Sequence, residues 1–354
     1  MNKQQKFFEK KEYKQFNKKW HKHFVLAGDI GGTNTALGIF GIRNNLPRLL
    51  LSFHFKSNKL DGLHTAINET LIYVQKHYNI KITKSCFGVA GVLSPKKDYS
   101  KITNVGWDVS KTALLKRTKL KNITLLNDFE AIGYGINMIS KNDVMTIKKA
   151  EKIEKAPILV IGAGTGLGKT LLIYNEHYKY YVTIPSEAGH SDFSAQSKYE
   201  LDLVNFIKKH KKMQNVSYEQ VVSGQGLNNI YLFLRKIKKY PSTKYTKEVD
   251  KAKDKPELIS KYRKYDKTCK EVFKIFKLFY ARFAKNFALD SLPLGGVYIA
   301  GGISPKNEDI FDSKFVREFE KNHKMHHVLK KIPIYLITNT NVGLLGAGFV
   351  ASRI

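Results

Sequence analysis

The chain has little cysteine, few acidic residues and no long apolar run, and each shortage excludes a class of protein. Only Cys86 and Cys269 occur in 354 residues, without a CxxC pair or a nearby set of cysteines and histidines. This pattern argues against a disulfide framework and a structural zinc site, and it fits a reducing compartment. No segment approaches the ~18 uninterrupted apolar residues that a membrane span needs, so we expect no membrane partner.

The shortage of acidic residues leaves the chain strongly basic. It contains 61 Lys and Arg against 30 Asp and Glu, a formal net charge of +31. Such a field attracts nucleic acid, anionic surfaces or phosphorylated small molecules. Lysine is also scattered among Asn, Ile and Tyr, as compositional replacement of exposed residues would produce. We favour the compositional interpretation and expect no nucleic-acid partner.

The two chain ends carry no clear targeting signal. Residues 1–23 hold eight lysines, and Tyr13, Phe16 and Trp20 fall at helical spacing, which indicates either an amphipathic basic helix or a disordered extension. The segment lacks the features of a signal or transit peptide, so we expect a cytoplasmic protein. Ser352-Arg353-Ile354 is only loosely similar to the peroxisomal SKL signal.

Length and hydrophobic patterning predict two lobes with a cleft between them, because 354 residues exceed the usual size of a single core. The opening lobe reads as an antiparallel meander, then a helix, then two further strands that end in polar residues. The second lobe repeats the strand, glycine turn, strand unit. Its remainder predicts Lys-rich helices over 199–239 and 256–290, an exposed polar link over 240–255, and a strand over 297–300.

Three glycine turns follow strand-like runs, and adjacent Thr or Asp residues accompany them. They are Asp29-Ile30-Gly31-Gly32-Thr33-Asn34, Gly162-Ala163-Gly164-Thr165-Gly166-Leu167-Gly168, and Gly301-Gly302. One such turn would most simply be a tight hairpin. Three of them offer backbone N–H groups that can converge on phosphate oxygens, so together they predict nucleotide binding.

Two better-known phosphate motifs fit the second turn poorly. Residues 163–170 nearly match the P-loop pattern, but Ala163 replaces its first glycine, and the apolar run from Thr170 predicts a strand where a P-loop opens a helix. The dinucleotide fingerprint fails because Leu167 stands where its third glycine belongs.

The pair Asn127-Asp128 ends the apolar run of a predicted strand. Functional residues at strand ends are typical of open α/β sheets. A carboxylate held there can accept a proton from a hydroxyl that attacks phosphorus. We therefore interpret Asp128 as a catalytic base.

From about Phe24 to the C-terminus, these motifs in this order closely resemble the bacterial-type (group A) glucokinase family of the hexokinase, actin and Hsp70 ATPase superfamily. The resemblance implies an α/β, two-lobed, ribonuclease-H-like (actin/hexokinase-type) fold with a cleft between a small and a large domain. The small domain would span 24–138, with a C-terminal helix at about 341–354 returning to it, and the large domain would span 139–340.

The family's motifs also imply roles for individual residues of this chain. The implied nucleotide-binding residues are Asp29, Gly31, Gly32, Thr33, Asn34, Gly164, Thr165, Gly166, Gly301 and Gly302. The implied glucose ligands are Asn127, Asp128, Glu187, His190 and Glu219, with Asp128 as the general base. Asp29 would position Mg²⁺ through water, so the expected cofactor is Mg²⁺ with ATP. The cysteine-rich zinc motif of the related repressor and sugar-kinase family is absent, so His190 should contact sugar.

The expected function is therefore transfer of the γ-phosphate of ATP to the 6-hydroxyl of glucose, by a homodimeric enzyme. Lys169 departs from the family pattern and adds a cation directly after the second turn. Several alternatives stay open at this point. The chain could phosphorylate another hexose or hexosamine, could use ADP or polyphosphate as donor, or could be a sugar-responsive regulator that binds nucleic acid.

Overall fold

A computed structural model describes residues 8–13, 17–102 and 105–354 of the protein. The chain forms two compact units, each an α/β arrangement around its own core. The first unit comprises the described residues up to Ser140, together with Asn175–Pro185 and Asn339–Ile354. The second comprises Lys141–Tyr174 and Ser186–Thr338. Within the described ranges, no helix combines the length and apolar character needed to cross a membrane.

Fourteen strands are present in the described part of the chain. They are β1 (Glu9–Glu12), β2 (His23–Ile30), β3 (Asn34–Arg43), β4 (Leu46–Lys56), β5 (Lys84–Val89), β6 (Tyr99–Lys101), β7 (Asp108–Ser110), β8 (Asn122–Asn127), β9 (Val144–Lys148), β10 (Ile158–Ala163), β11 (Leu167–Asn175), β12 (Tyr180–Ser186), β13 (Val297–Ala300) and β14 (Ile334–Ile337).

Eleven α-helices accompany the strands within the same described ranges. They are α1 (Leu63–Tyr78), α2 (Lys111–Arg117), α3 (Asp128–Gly135), α4 (Lys198–Lys211), α5 (Gly224–Lys236), α6 (Lys244–Lys251), α7 (Lys255–Tyr262), α8 (Lys267–Ser291), α9 (Ser313–Glu320), α10 (His326–Leu329) and α11 (Val342–Ala351).

The first unit is built on a six-stranded sheet in the order β1-β4-β3-β2-β5-β8. The predicted meander is confirmed, because β2, β3 and β4 pair antiparallel, while β5 runs parallel to both β2 and β8. Alternate residues of β2 enter different cores: Leu26 joins the cluster that contains α1, and Ala27 joins the cluster that contains α11. The sheet is therefore covered by helices on both faces, and its parallel strands are buried.

The second unit is organised by the sheet β12-β11-β10-β13-β14-β9 and by the long helix α8. Strand β10 pairs antiparallel with β11 and parallel with β13, which runs parallel to β14. The antiparallel pairing of residues 158–163 with 167–172 is a hairpin, as the sequence predicts, and excludes a P-loop helix at this turn. Helix α8 contributes large buried rings to the core, including Phe276, Tyr280 and Phe283.

Part of the N-terminal extension is a strand and not a helix or a disordered tail. Residues 9–12 form β1, which pairs antiparallel with the outer edge of β4. The ring of Phe8 packs edge-on against Phe53 and Tyr73 at 5.2 and 5.6 Å. The apolar contact comes from Phe8, whereas Trp20, one of the three aromatic residues at helical spacing, is 52% exposed. Phe16 lies in 14–16, outside the described residues, as do residues 1–7.

Two further segments differ from the sequence-based expectation. The polar stretch 240–255 contains helix α6, because Thr243 and Thr246 form a reciprocal capping box and Val249 is fully buried. Residues 175–185, which we expected in the large domain, belong to the first unit. There the amide of Asn137 donates to the Tyr181 carbonyl at 3.0 Å and accepts its N–H at 2.9 Å.

Candidate functional site

In the first unit, polar residues gather at one edge of the sheet. Strands β2, β5 and β8 are parallel, so their carboxyl ends meet at this edge. The N–H of Ala90, after β5, donates to the carbonyl of Ile30 at the end of β2 at 2.9 Å. Strand β8 ends at Asn127, and Asp128 follows it. The predicted phosphate turn and the predicted base therefore lie at the same end of three neighbouring strands.

Asn127 joins β8 to α3 and is fixed by backbone groups on both sides. Its side-chain amide donates to the Gly91 carbonyl at 3.2 Å, and its Oδ1 accepts the Phe129 N–H at 2.9 Å. The residue is the N-cap of α3 and forms a capping box with Glu130, whose Oε2 accepts the Asn127 N–H at 3.2 Å. The side chain therefore has one fixed orientation at the sheet edge.

Asp128 occupies the first position of α3, where a carboxylate is stabilised by the helix dipole. It is half-buried, and its Oδ1 shares the Phe129 N–H at 2.9 Å. Gly88 of β5 allows this approach, since a methyl group at position 88 would lie 2.7 Å from the Ala131 side chain and 3.9 Å from the Asp128 backbone. The carboxylate is held by short-range backbone contacts at a defined place.

An ion pair between the buried Glu130 and the half-exposed Lys97 supports this cap. Glu130 is only 3% exposed, and its Oε1 accepts a hydrogen bond from the Lys97 ammonium at 2.8 Å. Lys97 lies in the loop between β5 and β6 and adopts a positive φ of 51°. The pair joins that loop to the cap that orients Asn127.

The first glycine turn connects β2 to β3 and is anchored from the end of β4. The Gly31 N–H donates to the Asn34 carbonyl at 3.0 Å. The buried Ser57 hydroxyl donates to the Gly31 carbonyl at 2.7 Å, and the Ser57 N–H donates to the Thr33 carbonyl at 3.0 Å. Lys56, next to Ser57, donates from its ammonium to the Asn34 side chain at 2.9 Å. Thr33 and Asn34 nevertheless remain exposed, so the tip of the turn is open to a ligand.

Asp29 lies on β2, two residues before this turn. Although part of its surface is exposed, its carboxyl group is enclosed by protein, and this burial raises its pKa to about 6. A methyl group at Gly343 would lie 2.9 Å from Asp29 Oδ2, so the carboxyl faces the first turn of α11. With this pKa the carboxyl group is partly protonated near pH 6, and a neighbouring cation would favour its ionised form.

In the second unit, the turn between β10 and β11 is held by backbone contacts and by two side chains. The Ala163 N–H donates to the Tyr280 hydroxyl at 3.2 Å, and Glu219 accepts the Leu167 N–H. The Gly164 N–H donates to the Gly166 carbonyl, and the Gly224 N–H donates to the Gly164 carbonyl, both at 2.8 Å. A methyl group at Gly164 would lie 3.8 Å from the Gly302 nitrogen. The predicted phosphate residues of β10 and β13 thus meet at the carboxyl edge of two parallel strands.

Gly301 has a steric requirement for glycine. Its φ is +86°, and a methyl group there would lie 2.4 Å from the Ala163 carbonyl oxygen. The same carbonyl accepts the Ile303 N–H at 3.1 Å, which ties the end of β10 to the turn after β13. This backbone conformation is open to glycine and strained for other residues.

The three predicted sugar ligands of the second unit gather around Leu167. The Leu167 N–H donates to Glu219 Oε2 at 2.9 Å. A methyl group at Gly189 would lie 1.9 Å from the Leu167 carbonyl, which places the turn 187–190 against the same residue. Within that turn Glu187 Oε2 and His190 Nε2 are 4.0 Å apart, and both side chains are about 60% exposed.

The structure also places Lys169, which the sequence singles out as a possible phosphate contact. Lys169 is only 8% exposed, and its ammonium lies over the Phe287 ring at 4.5 Å and near Asp290 at 3.5 Å. The side chain is therefore directed into the second unit. The sequence shows that the backbone of Lys169 follows the turn, but it does not show which residues the ammonium group contacts.

Sequence reasoning missed four residues that shape these sites: Lys56, Ser57, Lys97 and Glu130. The capping spacing of Asn127 and Glu130 is visible in the sequence and could have identified Glu130. Ser57, Lys56 and Lys97 reach their partners through strand register and loop conformation. Strand register and loop conformation leave no local signal in the sequence.

The donors at the edge of the first unit fit a Mg²⁺ ion that accompanies a nucleotide. Magnesium prefers oxygen ligands and is commonly held by one or two carboxylates together with phosphates and water. Asp29 offers one carboxylate beside the exposed turn, and its raised pKa would be lowered by a cation. Among the described residues, no group of three or more His, Cys, Asp and Glu side chains is placed to hold a metal ion. The protein would therefore contribute Asp29, and phosphate and water would complete the shell.

Comparison with known proteins gives a consistent result. The family model described as "Glucokinase" matches residues 26–354. A curated glucokinase from Nostoc sp. (strain PCC 7120) is 34% identical over 345 residues, which cover 93% of this chain and 99% of that protein. The chain belongs to the glucokinase family. Membership confirms the family resemblance inferred from the motifs at 29–34, 127–128, 164–166 and 300–302.

Solved structures agree on the fold. A glucokinase from an Antarctic psychrotroph superposes with a TM-score of 0.76 at 25% identity, covering 94% of this chain and 99% of that one. A glucokinase from Balamuthia mandrillaris, solved in complex with glucose, gives a TM-score of 0.76 at 20% identity and covers 94% of each chain. The predicted two-domain α/β fold of actin/hexokinase type is confirmed.

Proposed function

We propose that this member of the glucokinase family transfers the γ-phosphate of ATP to the 6-hydroxyl of glucose, with Asp128 as the general base. The observation that carries the proposal is the sheet edge of the first unit. There Asn127 and Asp128 end β8, and the open turn 31–34 follows the neighbouring strand β2. A hydroxyl-binding amide, a carboxylate base and a phosphate-binding turn are the groups that sugar phosphorylation requires.

Asp128 accepts the proton of the attacking hydroxyl as the new oxygen–phosphorus bond forms and the bond from the γ-phosphorus to the β-phosphate oxygen breaks, so that ADP leaves. The Phe129 N–H and the first position of α3 restrict the carboxylate to one place. A fixed base lowers the barrier chiefly by holding the hydroxyl in line with the phosphorus. General-base catalysis of this kind contributes roughly 10²–10⁴ in rate.

The remaining polar side chains bind sugar hydroxyls. Asn127 uses its anchored amide in the first unit, and Glu187, His190 and Glu219 supply donors and acceptors in the second. The bond from Leu167 N–H to Glu219 Oε2 orients that carboxylate and leaves its other oxygen for a hydroxyl. A site that pairs each hydroxyl leaves a buried group unpaired when an epimer is bound, which produces selectivity among hexoses.

Backbone N–H groups of the glycine turns bind the phosphate oxygens of the nucleotide. The turn 31–34 acts in the first unit, and Gly164–Gly166 with Gly301 and Gly302 act in the second. Asp29 would hold a Mg²⁺ ion through water, and the ion would supply neutralisation of the phosphate charge. A cation there would favour the ionised form of Asp29, which burial disfavours.

The family resemblance also predicts a homodimer, and the lack of signal-peptide and transit-peptide features in residues 1–23 predicts a cytoplasmic protein. Both stay predictions. We do not propose a peroxisomal signal. The Arg353 guanidinium stacks 3.4 Å from the Phe349 ring centre, and the Ile354 carbonyl accepts the Lys84 ammonium at 2.6 Å. These contacts hold the tripeptide at the surface of the first unit, where Arg353 and Ile354 stay exposed.

The test is product analysis with a panel of acceptors. Purified protein is incubated with Mg-ATP and, separately, glucose, mannose, glucosamine, N-acetylglucosamine or no sugar. The proposal predicts glucose-dependent ADP release with stoichiometric glucose 6-phosphate, and a higher kcat/KM for glucose than for the other acceptors. Equal ADP release without sugar would contradict it, and a clear preference for another acceptor would replace glucose as the substrate.

A further inference from the structure

The register of the first sheet places Lys56 on the same face as Asp29. In antiparallel pairs, opposite residues share a face and the side chains alternate along each strand. Asp29 pairs with Ala36, while Asn34, two residues earlier on β3, pairs with Lys56 on β4. Asp29, Asn34 and Lys56 therefore occupy the same face at the open end of the sheet. Neither spacing nor composition brings these three residues together.

Lys56 is held toward the tip of the turn, and its charge is not neutralised there. The side chain is exposed, and its ammonium donates at 2.9 Å to Asn34 Oδ1, a neutral acceptor. None of the ion pairs found in the described ranges includes Lys56. The ammonium has three donors, so two stay available beside the exposed residues Thr33 and Asn34.

We propose that Lys56 binds the terminal phosphates of the nucleotide at the turn 31–34, as the cation of a site that otherwise consists of backbone N–H groups. The inference rests on the proposed function, which makes this turn a phosphate loop. In a bound magnesium nucleotide, Asp29 would lie near the Mg²⁺ ion, and the Lys56 ammonium would contact the negatively charged phosphate oxygens.

Lys169 is the other lysine that lies next to a glycine turn, but its ammonium already contacts other side chains of the second unit. The Lys169 ammonium is buried over Phe287 and close to Asp290.

Ser57, adjacent to Lys56, is fully buried and bonded to Gly31, so the backbone that carries Lys56 is tied to the turn 31–34. The lysine is therefore anchored at its backbone and guided at its tip, which reduces the ordering cost of binding phosphate.

The experiment compares Lys56→Met with Lys56→Arg and with Lys59→Met. Lys59 is exposed and three residues away, so its substitution removes the same charge from the same segment. A hydrogen bond to a charged group accounts for roughly 10-fold or more in affinity, so Lys56→Met should raise KM for ATP by about that factor. KM for glucose should stay within about twofold, Lys56→Arg should recover most of the affinity, and Lys59→Met should match the parent protein.

Binding of ADP without magnesium gives a second measurement that needs no turnover. Titration calorimetry at low and high salt should show weaker ADP binding by Lys56→Met and a smaller salt dependence than the parent. Equal ADP affinity and equal KM for ATP in Lys56→Met and Lys59→Met would overturn the role of Lys56. Absence of sugar-dependent turnover in the parent protein would overturn the proposed function, while the ADP titration would still decide the role of Lys56.

Discussion

The hairpins β2–β3 and β10–β11 have the same outline but are built differently. In both hairpins the two strands are antiparallel and the turn contains glycine. The first strand, β2 or β10, ends at the edge where the carboxyl ends of the parallel strands meet. The first turn is held by side chains, since Ser57 and Lys56 bond to it from a neighbouring strand. The second turn is held by the Gly224 N–H and by the Glu219 carboxylate, whose Oε2 accepts the Leu167 N–H at 2.9 Å.

The difference also concerns charge. Asp29 lies two residues before Gly31, whereas Gly162 stands at the equivalent place before Gly164. The first hairpin exposes its cation, Lys56, and the second buries its cation, Lys169. Similar glycine turns can therefore differ in where charge is available, and sequence motifs alone do not report it.

The largest effect on folding should come from adding a methyl group at Gly301, in the turn after β13 that is bonded to the end of β10. Gly301→Ala would force a positive φ on alanine and a contact of 2.4 Å with the Ala163 carbonyl, so we expect a loss of roughly 2–4 kcal/mol in the free energy of unfolding. Gly31→Ala meets only the Asn34 carbonyl at 3.3 Å and should cost less than about 1 kcal/mol. Urea unfolding of both variants measures this contrast, and equal losses would contradict the steric requirement for glycine at position 301.

The cap beside the first hairpin should depend on Lys97. Lys97→Met leaves the buried Glu130 carboxylate without its cation, and because Lys97 is half-exposed we expect a loss of about 1–2 kcal/mol together with a lower kcat. The double variant Lys97→Met/Glu130→Gln should regain part of the stability, since the neutral amide can still accept the Asn127 N–H. Unfolding and turnover assays check both values. A double variant less stable than the single one would contradict the pairing.

Without ligand, the ionised Asp29 should lower the free energy of unfolding. Replacing Asp29 should therefore raise that free energy by an amount that depends on pH. Its native pKa of about 6 lies above the usual value, so the penalty for ionising it is complete above pH 6 and disappears below about pH 4. Asp29→Asn should therefore stabilise the protein at pH 7–8 by about 1–3 kcal/mol, with the lower values expected because the N-terminal end of α11 faces the carboxyl. Urea unfolding between pH 4 and pH 8 measures the difference, which must shrink on acidification if the explanation holds.

The smallest effect should come from Lys169. Lys169→Met keeps the aliphatic stem against Phe287 and removes a weak pair with the exposed Asp290, so the free energy of unfolding should change by less than about 1 kcal/mol. KM for ATP should not change, in contrast to Lys56→Met. A large rise in KM for the Lys169 variant would show that its ammonium reaches the nucleotide.

Much of the fold could be predicted from the sequence, because apolar runs, glycine turns and motif order are local signals. The meander, the hairpin at 158–172 and the family followed from them. The extension 1–23 was misinterpreted at Glu9–Glu12, since an edge strand depends on a partner, here β4, that periodicity does not reveal. Helix α6 was missed because its polar surface concealed the buried Val249.

The candidate site was predictable in its motif residues and not in their supports. Asn127, Asp128 and the glycine turns have recognisable spacing. Lys56 and Lys97 act through contacts with residues 22 and 33 positions away. Such contacts are set by strand register and by a positive φ, which one sequence does not display. The roles of the motif residues stay predictions until they are tested.

The most direct test of the central claim is the initial rate of ADP formation from Mg-ATP with and without glucose, for the parent protein and Asp128→Asn. Glu69→Gln, which removes an exposed carboxylate from α1, is the matched control. The account predicts glucose-dependent turnover in the parent and control, and a fall of about 10²–10⁴ in kcat for Asp128→Asn, with little change in its unfolding. Glucose-dependent turnover of similar rate in a folded Asp128→Asn protein would contradict the assignment of Asp128 as the base.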